Sequence, residues 1–155
     1  MVVTMLGDLK HGRTVHSLAK LLCHFTGIKL QYVAPSILGM PEDVRQKVDT
    51  MGVQQVEVSI LEDAIVNTDV LYVTRIQKER FETEADYDAV AGSYCVNAAI
   101  MSKAKRNMIV MHPLPRVDEI SPEIDDDPRS AYFRQMENGM HMRMAILSLV
   151  MLGRV

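Results

Sequence analysis

Apolar positions along this chain gather in five short runs: "VVTML" (2–6), "LQYVA" (30–34), "VEVS" (56–59), "VLYVT" (70–74) and "MIVMH" (108–112). Four of the five are near-continuous in apolar or β-branched residues, the pattern of strands covered on both faces. Between the runs the period lengthens. "TVHSLAKLLCHF" (14–25) places Val15, Leu18, Leu21, Leu22 and Phe25 on one stripe of a helix. "PEDVRQKVDTMG" (41–52) has Pro41 at a first helical position, acids behind it and Gly52 at its close. "ILEDAIVN" (60–67) is a short helix, and "AAIMSKAKRN" (98–107) is another that ends basic. Strands alternating with helices predict right-handed βαβ units and a parallel sheet between helical layers. The expected fold is α/β. It is a single three-layer αβα, Rossmann-like domain over residues 1–155, with a mostly parallel sheet of about five strands.

Two segments stand apart. "RVDEISPEIDDDPRSAY" (116–132) is long, acidic and carries two prolines, which predicts a surface excursion. "AYFRQMENGMHMRMAILSLVMLGRV" (131–155) is helical in pattern but apolar nearly all round after Met140. It carries Met136, Met140, Met142, Met144 and Met151, five of the twelve methionines. Such a helix either covers the sheet as core or presents a face to something absent from the chain.

Composition excludes several classes. With 155 residues and 48% of them hydrophobic, the chain can bury a sizeable core. A formal net charge of −3 argues against a non-specific nucleic-acid binder, which needs a basic excess. No run of about 18 apolar residues is present, so no membrane span is expected. The opening "MVVTMLGD" reads as a core strand and not as a signal peptide. Cys23 and Cys95 lie among apolar neighbours, which predicts two buried, reduced thiols and a cytoplasmic setting.

In an open α/β sheet, ligands bind beyond the carboxyl ends of the strands. "GDLKHGRT" (7–14) follows the first predicted strand, "RIQKER" (75–80) the fourth and "PLPR" (113–116) the fifth. Together they bring Lys10, Arg13, Arg75, Lys78, Arg80 and Arg116 to one edge of an otherwise acidic chain, with Gln77 and His112 beside them. Arginine grips carboxylate or phosphate at two points, so a ligand with two or more anionic groups fits. Local acids such as Glu79 and Asp118 are alternative partners for these arginines.

The first loop also has the glycine spacing of a nucleotide-binding P-loop, G-x-x-x-x-G-K-[ST]. Gly7, Gly12 and Thr14 match it, but Arg13 stands where the lysine belongs. "VLYVT" runs into Arg75 and not into the acid that would support a metal. Glycines before a helix expose N–H groups to an anion whatever the chemistry. A nucleotide-binding module built on the altered loop 7–14 therefore stays as an alternative, beside a non-catalytic interaction domain. In "HPLPR" (112–116) two prolines bracket Leu114, remove N–H donors and stiffen the loop. The carbonyls of Pro113 and Leu114 would be fixed acceptors for an amino or amide group.

"GDLKHGRTVHSL", "LYVTRIQKERF", "VMHPLPRVDEI" and "AYFRQMENGM" together resemble the aspartate-binding half of aspartate carbamoyltransferase. The resemblance covers essentially the whole chain in order. "KHGRT", with His11, resembles the version fused into the animal multifunctional pyrimidine-synthesis polypeptide. The resemblance implies transfer of the carbamoyl group of carbamoyl phosphate to L-aspartate, on the route to pyrimidines, with no metal or organic cofactor. By the family's pattern Arg13 grips a carboxylate of aspartate, and Arg75 and Gln77 complete its site. Backbone groups of Pro113, Leu114 and Pro115 touch the carbamoyl end. Arg80, with Lys78, serves domain closure by pairing with an acid of a second domain, and Tyr87 hydrogen-bonds Asp118 to hold its loop. The sister enzyme acting on ornithine has cysteine in place of Pro113 and an SMG motif, and neither is present. The family's carbamoyl phosphate domain, with its Ser-Thr-Arg-Thr motif, is not found in these residues. The expectation is half of a catalytic unit, nearly inactive alone and trimeric in the complete enzyme, whose final helix reaches toward the other domain. Self-association or a displaced final helix is then expected of the lone domain.

Overall fold

A computed structural model describes residues 1–153. Five strands, β1 (Val2–Leu6), β2 (Lys29–Val33), β3 (Gln54–Glu57), β4 (Val70–Val73) and β5 (Ile109–Met111), form one sheet in the order β3-β2-β1-β4-β5. Every pairing is parallel, so the expected mostly parallel sheet is wholly parallel among the described residues. The helices are α1 (Arg13–Leu22), α2 (Glu42–Thr50), α3 (Leu61–Ile65), α4 (Glu84–Asp88), α5 (Ala98–Lys103) and α6 (Tyr132–Leu152).

Strand alternation sorts the side chains into two cores. On one face Val3 and Met5 of β1, Leu30 and Tyr32 of β2 and Tyr72 of β4 pack with Val15 and Ala19 of α1 and Val44 and Val48 of α2. On the other, Leu6, Val33, Leu71, Val73 and Val110 pack with Leu61 and Ile65 of α3 and Ile100 and Met101 of α5. The result is the expected three-layer αβα arrangement.

Several expected bounds shift for physical reasons. β3 lies at 54–57 and not 56–59, because an edge strand pairs on one side only and tolerates the exposed Gln54. α1 ends at Leu22, and Leu21 and Phe25 of the expected stripe are exposed, since the chain leaves the helix through Cys23 and His24. Pro41 caps α2 from outside. Segment 116–132 is no simple surface excursion. Ile120 and Ile124 sit in the second core, and Ile120 bridges to Val96. Cys23 is half-buried and Cys95 exposed, so the pair is not the buried one expected.

Arg116 does not face the cation edge. Its guanidinium forms a two-point pair with Asp125 and donates to the Tyr132 hydroxyl, 3.2 Å away, tying the acidic segment to the start of α6. Beyond Tyr132, α6 buries almost nothing. Met136, Met140, Met142, Met144, Leu147 and Val150 are all exposed, so α6 is not a core helix over the sheet. Arg154 and Val155, the end of the expected helical segment, lie outside the described residues.

Paired carboxylates make the fold sensitive to acid. Hydrogen bonds from Arg116 hold the Asp125 carboxyl below the usual range, and those from Arg129 do the same for Asp127. Lys105, with the Val2 N–H, lowers Asp69. Burial pushes Glu119 up, but hydrogen bonds from His112 and from backbone N–H groups outweigh it and leave the group lowered. A carboxyl lowered in the folded state stabilises above its unfolded pKa, and that stability is lost as pH falls through the folded value. Stability is therefore expected to hold near neutrality and to fall steadily below about pH 4. Thermal unfolding at pH 7 and in that acid range checks this. Asp125→Asn should lose stability at pH 7 and show a shallower acid slope.

Candidate functional site

Strand order reverses between β1 and β4, and the crevice beyond their carboxyl ends is where an open parallel sheet binds ligands. Backbone bonds stitch the end of β1 to β4 on one side and to β2 on the other. Thr74 N–H donates to the Leu6 carbonyl at 2.8 Å, and Gly7 N–H donates to the Val33 carbonyl at 3.0 Å. The chain then turns at Gly7, whose φ of 111° is a conformation that suits glycine. The Thr74 carbonyl oxygen lies only 2.2 Å from where a Cβ on Gly7 would stand.

A cavity of about 230 Å³ opens at this crevice. Arg13, Arg75, Gln77 and Arg80 line it, together with Pro113, Leu114 and Pro115. The residues expected to hold the ligand from the three loops thus meet in one place. Lys10, Lys78 and Arg116 of the expected cation edge do not line this cavity among the described residues.

Each cation has its own state. Arg13 starts α1 with its side chain exposed and forms no ion pair among the described residues. Gly12 and Thr14, at the start of α1, line the same cavity, where the helix dipole favours an anion. Arg75 Nη2 donates to Glu79 Oε1 at 2.6 Å, so the local acid named as an alternative partner does hold it. Arg80 Nε donates to Gln77 Oε1 at 3.1 Å. Lys78 pairs with Glu84, and that hydrogen bond raises the lysine pKa and lowers the glutamate's. The expected bond from Tyr87 to Asp118 is not formed. Tyr87 instead packs edge-on to Phe81 at 5.7 Å between centroids, with Lys78 Nζ 5.5 Å from its ring.

Four further residues build the site. Asp8 is buried, and its carboxylate accepts from His11 N–H at 2.9 Å and from His11 Nδ1 at 3.0 Å. His11 in turn meets Phe81 edge-on at 6.2 Å, which links the first loop to the 75–88 segment. Thr74, buried, donates from Oγ1 to the Leu6 carbonyl at 3.1 Å. Glu119, buried, accepts from His112 Nε2 at 2.7 Å. Asp8 and Glu119 were open to sequence reasoning only as acids three and seven residues from a histidine, a weak signal. The Leu114–Pro115 peptide is cis, and Leu114 adopts a left-handed φ of 53°.

An open parallel α/β sheet with an arginine-lined cavity at its switch point is the class of architecture suited to holding small anionic ligands. The family model "Aspartate/ornithine carbamoyltransferase, Asp/Orn binding domain" matches residues 1–150, and the chain belongs to that family. Among curated relatives, the multifunctional protein CAD of Squalus acanthias is 54% identical over 151 residues, covering 97% of this chain and 7% of that protein. The aspartate carbamoyltransferase catalytic subunit of Aliivibrio fischeri is 45% identical over 149 residues, covering 96% of this chain and 48% of that subunit. Among solved structures, the catalytic subunit of aspartate transcarbamoylase from M. jannaschii superposes with a TM-score of 0.89 at 40% identity, over 99% of this chain and 50% of that one. Aspartate transcarbamoylase from Trypanosoma cruzi in complex with aspartate and phosphate superposes with a TM-score of 0.80 at 48% identity, over 95% of this chain and 46% of that one. The chain thus spans about half of the single-function subunits it matches and a small part of the multifunctional ones.

Proposed function

We propose that residues 1–155 form the aspartate-binding domain of an aspartate carbamoyltransferase, which transfers the carbamoyl group of carbamoyl phosphate to L-aspartate in pyrimidine synthesis. The observation that carries this is the meeting of Arg13, Arg75 and Gln77 with the 113–115 loop around one cavity, in a chain of this family. Two arginine forks lining one cavity suit the two carboxylates of aspartate, and a loop of carbonyl acceptors suits an amide. Gln77 lies where it can turn from Arg80 to the ligand. In the complete enzyme the unprotonated amine attacks the carbamoyl carbon, a tetrahedral intermediate forms, and phosphate leaves with the proton. This domain contributes position and charge, with the arginines gaining strength as closure dries the site. Arg80, Lys78 and the exposed Asp118 serve that closure, while Tyr87 braces the loop through Phe81.

Carbamoyl phosphate is supplied through a second domain, and the complete enzyme is a cytoplasmic trimer. No described helix is long and apolar enough to cross a membrane. The nucleotide alternative draws no support, since β4 runs into Thr74 and Arg75 and offers no acid for a metal beside loop 7–14.

The test is an NMR titration of the labelled chain with succinate, which is aspartate without its amine, and in parallel with ATP·Mg. Shifts at Arg13, Arg75 and Gln77 with succinate alone support the proposal. Shifts at 7–14 with ATP·Mg alone return the nucleotide module. The exposed apolar side chains of α6 are the face for the second domain, so the lone chain is expected to self-associate. Light scattering across a dilution series checks this, and a monomer at every concentration contradicts it.

A further inference from the structure

We infer that His112 and Glu119 are positioning residues that hold the 113–115 loop with its carbonyls toward the substrate. The inference rests on the carbamoyltransferase proposal and adds to it two residues that work through the loop. His112 borders the cavity but is 2% exposed with both ring nitrogens engaged inside the protein, and Glu119, 6% exposed, does not line it, so neither has a free group to grip a ligand.

The loop's donors are nearly all committed inward. Pro113 and Pro115 have no N–H. His112 N–H donates to Gln135 Oε1 of α6 at 2.9 Å. Leu114 N–H donates to His112 Nδ1 at 2.8 Å, and Val117 N–H donates to Glu119 Oε2 at 3.2 Å. The carbonyls of Pro113, Leu114 and Pro115 accept no hydrogen bond among the described residues, and these three residues line the cavity. A peptide loop is normally donor and acceptor in equal measure. Here the donors are consumed and the acceptors remain.

The imidazole makes this possible only in one tautomer. A ring nitrogen that accepts from Leu114 N–H carries no proton, so the ring proton sits on Nε2. Nε2 then donates to Glu119 Oε1 at 2.7 Å. With Oε2 taken by Val117, the carboxylate selects the tautomer and the tautomer selects the loop. Leu114 needs this support because its φ of 53° is left-handed, a conformation a leucine rarely keeps unaided.

The test joins a readout that needs no activity to one that does. In the ¹⁵N-labelled chain, His112 Nδ1 should resonate as an unprotonated nitrogen and Nε2 as a protonated one. The Leu114 amide should exchange at least about a hundredfold more slowly than an open loop amide. The enzymatic arm uses the full-length enzyme that carries this domain. His112→Gln still reaches Glu119 from the Nε2 position but leaves Leu114 N–H unpaired. It should lower kcat roughly tenfold to a hundredfold, the cost of a misplaced orienting group, with KM for aspartate and succinate affinity nearly unchanged. His112→Asn restores an acceptor at the Nδ1 position and should recover most of the turnover.

A protonated Nδ1 overturns the inference. So does a His112→Gln enzyme with parental turnover, or one whose aspartate KM rises in step with the loss. If His112→Gln fails to fold, the spectrum and the His112→Asn enzyme decide: a protonated Nδ1, or His112→Asn turnover down tenfold or more, overturns it. A parental enzyme that transfers no carbamoyl group overturns the proposed function instead, while the ¹⁵N spectrum still reports on the tautomer.

Discussion

The Gly7→Ala variant is expected to melt roughly 6–20 °C below the parent chain, because two separate costs meet at that position. The first is conformational. Gly7 has a φ of 111°, outside the wells an L-residue prefers. The second is steric. A Cβ there would stand 2.2 Å from the Thr74 carbonyl oxygen and 2.9 Å from its hydroxyl. The carbonyl is backbone and cannot swing aside without pulling β4 from β1, whose pairing continues through Thr74 N–H to Leu6. Together these effects cost about 3–5 kcal/mol, in the range of strain at a special backbone position. Gly27→Ala is the comparison. Gly27 also has a positive φ, 72°, but nothing lies within 4 Å of its Cβ position. It should lose only the conformational part, about 1–2 kcal/mol. Circular dichroism melts of the two variants separate the contributions, and equal melting points would contradict the steric account. Any Gly7→Ala protein that folds should also bind succinate more weakly, since the clash pushes Thr74 and Arg75 away from Arg13.

The frame of the molecule was legible because buried parallel strands leave a strong mark. β1, β4 and β5 lie within the apolar runs and β2 starts one residue ahead of its run, at Lys29; both faces of each strand meet a helical layer. β3 left a weaker mark, since Gln54, Val56 and Glu57 at the sheet edge are exposed and follow no apolar pattern. α4 went unread although its cap was visible. Thr83 Oγ1 accepts from Asp86 N–H at 3.2 Å, and a threonine three residues before an acid is a usable start signal. Segment 116–132 misled through its composition. Its acids and prolines suggested solvent, while the isolated Ile120 and Ile124 do the packing. Of the site, the gathering of Arg13, Arg75 and Gln77 followed from strand order and motif. The choice of partner within the edge did not follow, although Glu79 stood open as one local acid. Arg75 with Glu79 and Arg116 with Asp125 depend on side-chain rotamers, which the sequence leaves open. The His112–Glu119 pair is local in sequence, but its significance lies in the backbone groups it engages.

Loss of the Arg13 guanidinium should weaken dicarboxylate binding more than any other single side-chain change in the cavity that leaves the fold intact. Arg13 is exposed and has no ion pair among the described residues, so its removal costs the fold little. For a ligand it offers two parallel charge-assisted bonds beside the start of α1. At about 1.5 kcal/mol or more for each bond, Arg13→Ala should weaken succinate binding, and raise KM for aspartate in the complete enzyme, roughly a hundredfold. Arg13→Lys keeps the charge but not the fork, and should fall between. Arg75→Ala differs in kind. It removes a cation and also leaves the neighbouring Glu79 carboxylate without its partner, so succinate meets an added repulsion that salt should partly screen. Arg116→Ala is the control on the same stretch of sequence. Its partner is Asp125, so it should lower thermal stability and leave succinate affinity within about twofold. Calorimetry on these variants at two ionic strengths checks the set. An Arg13→Ala protein that binds succinate within about threefold of the parent would place the dicarboxylate elsewhere, because a guanidinium gripping a carboxylate cannot be removed so cheaply.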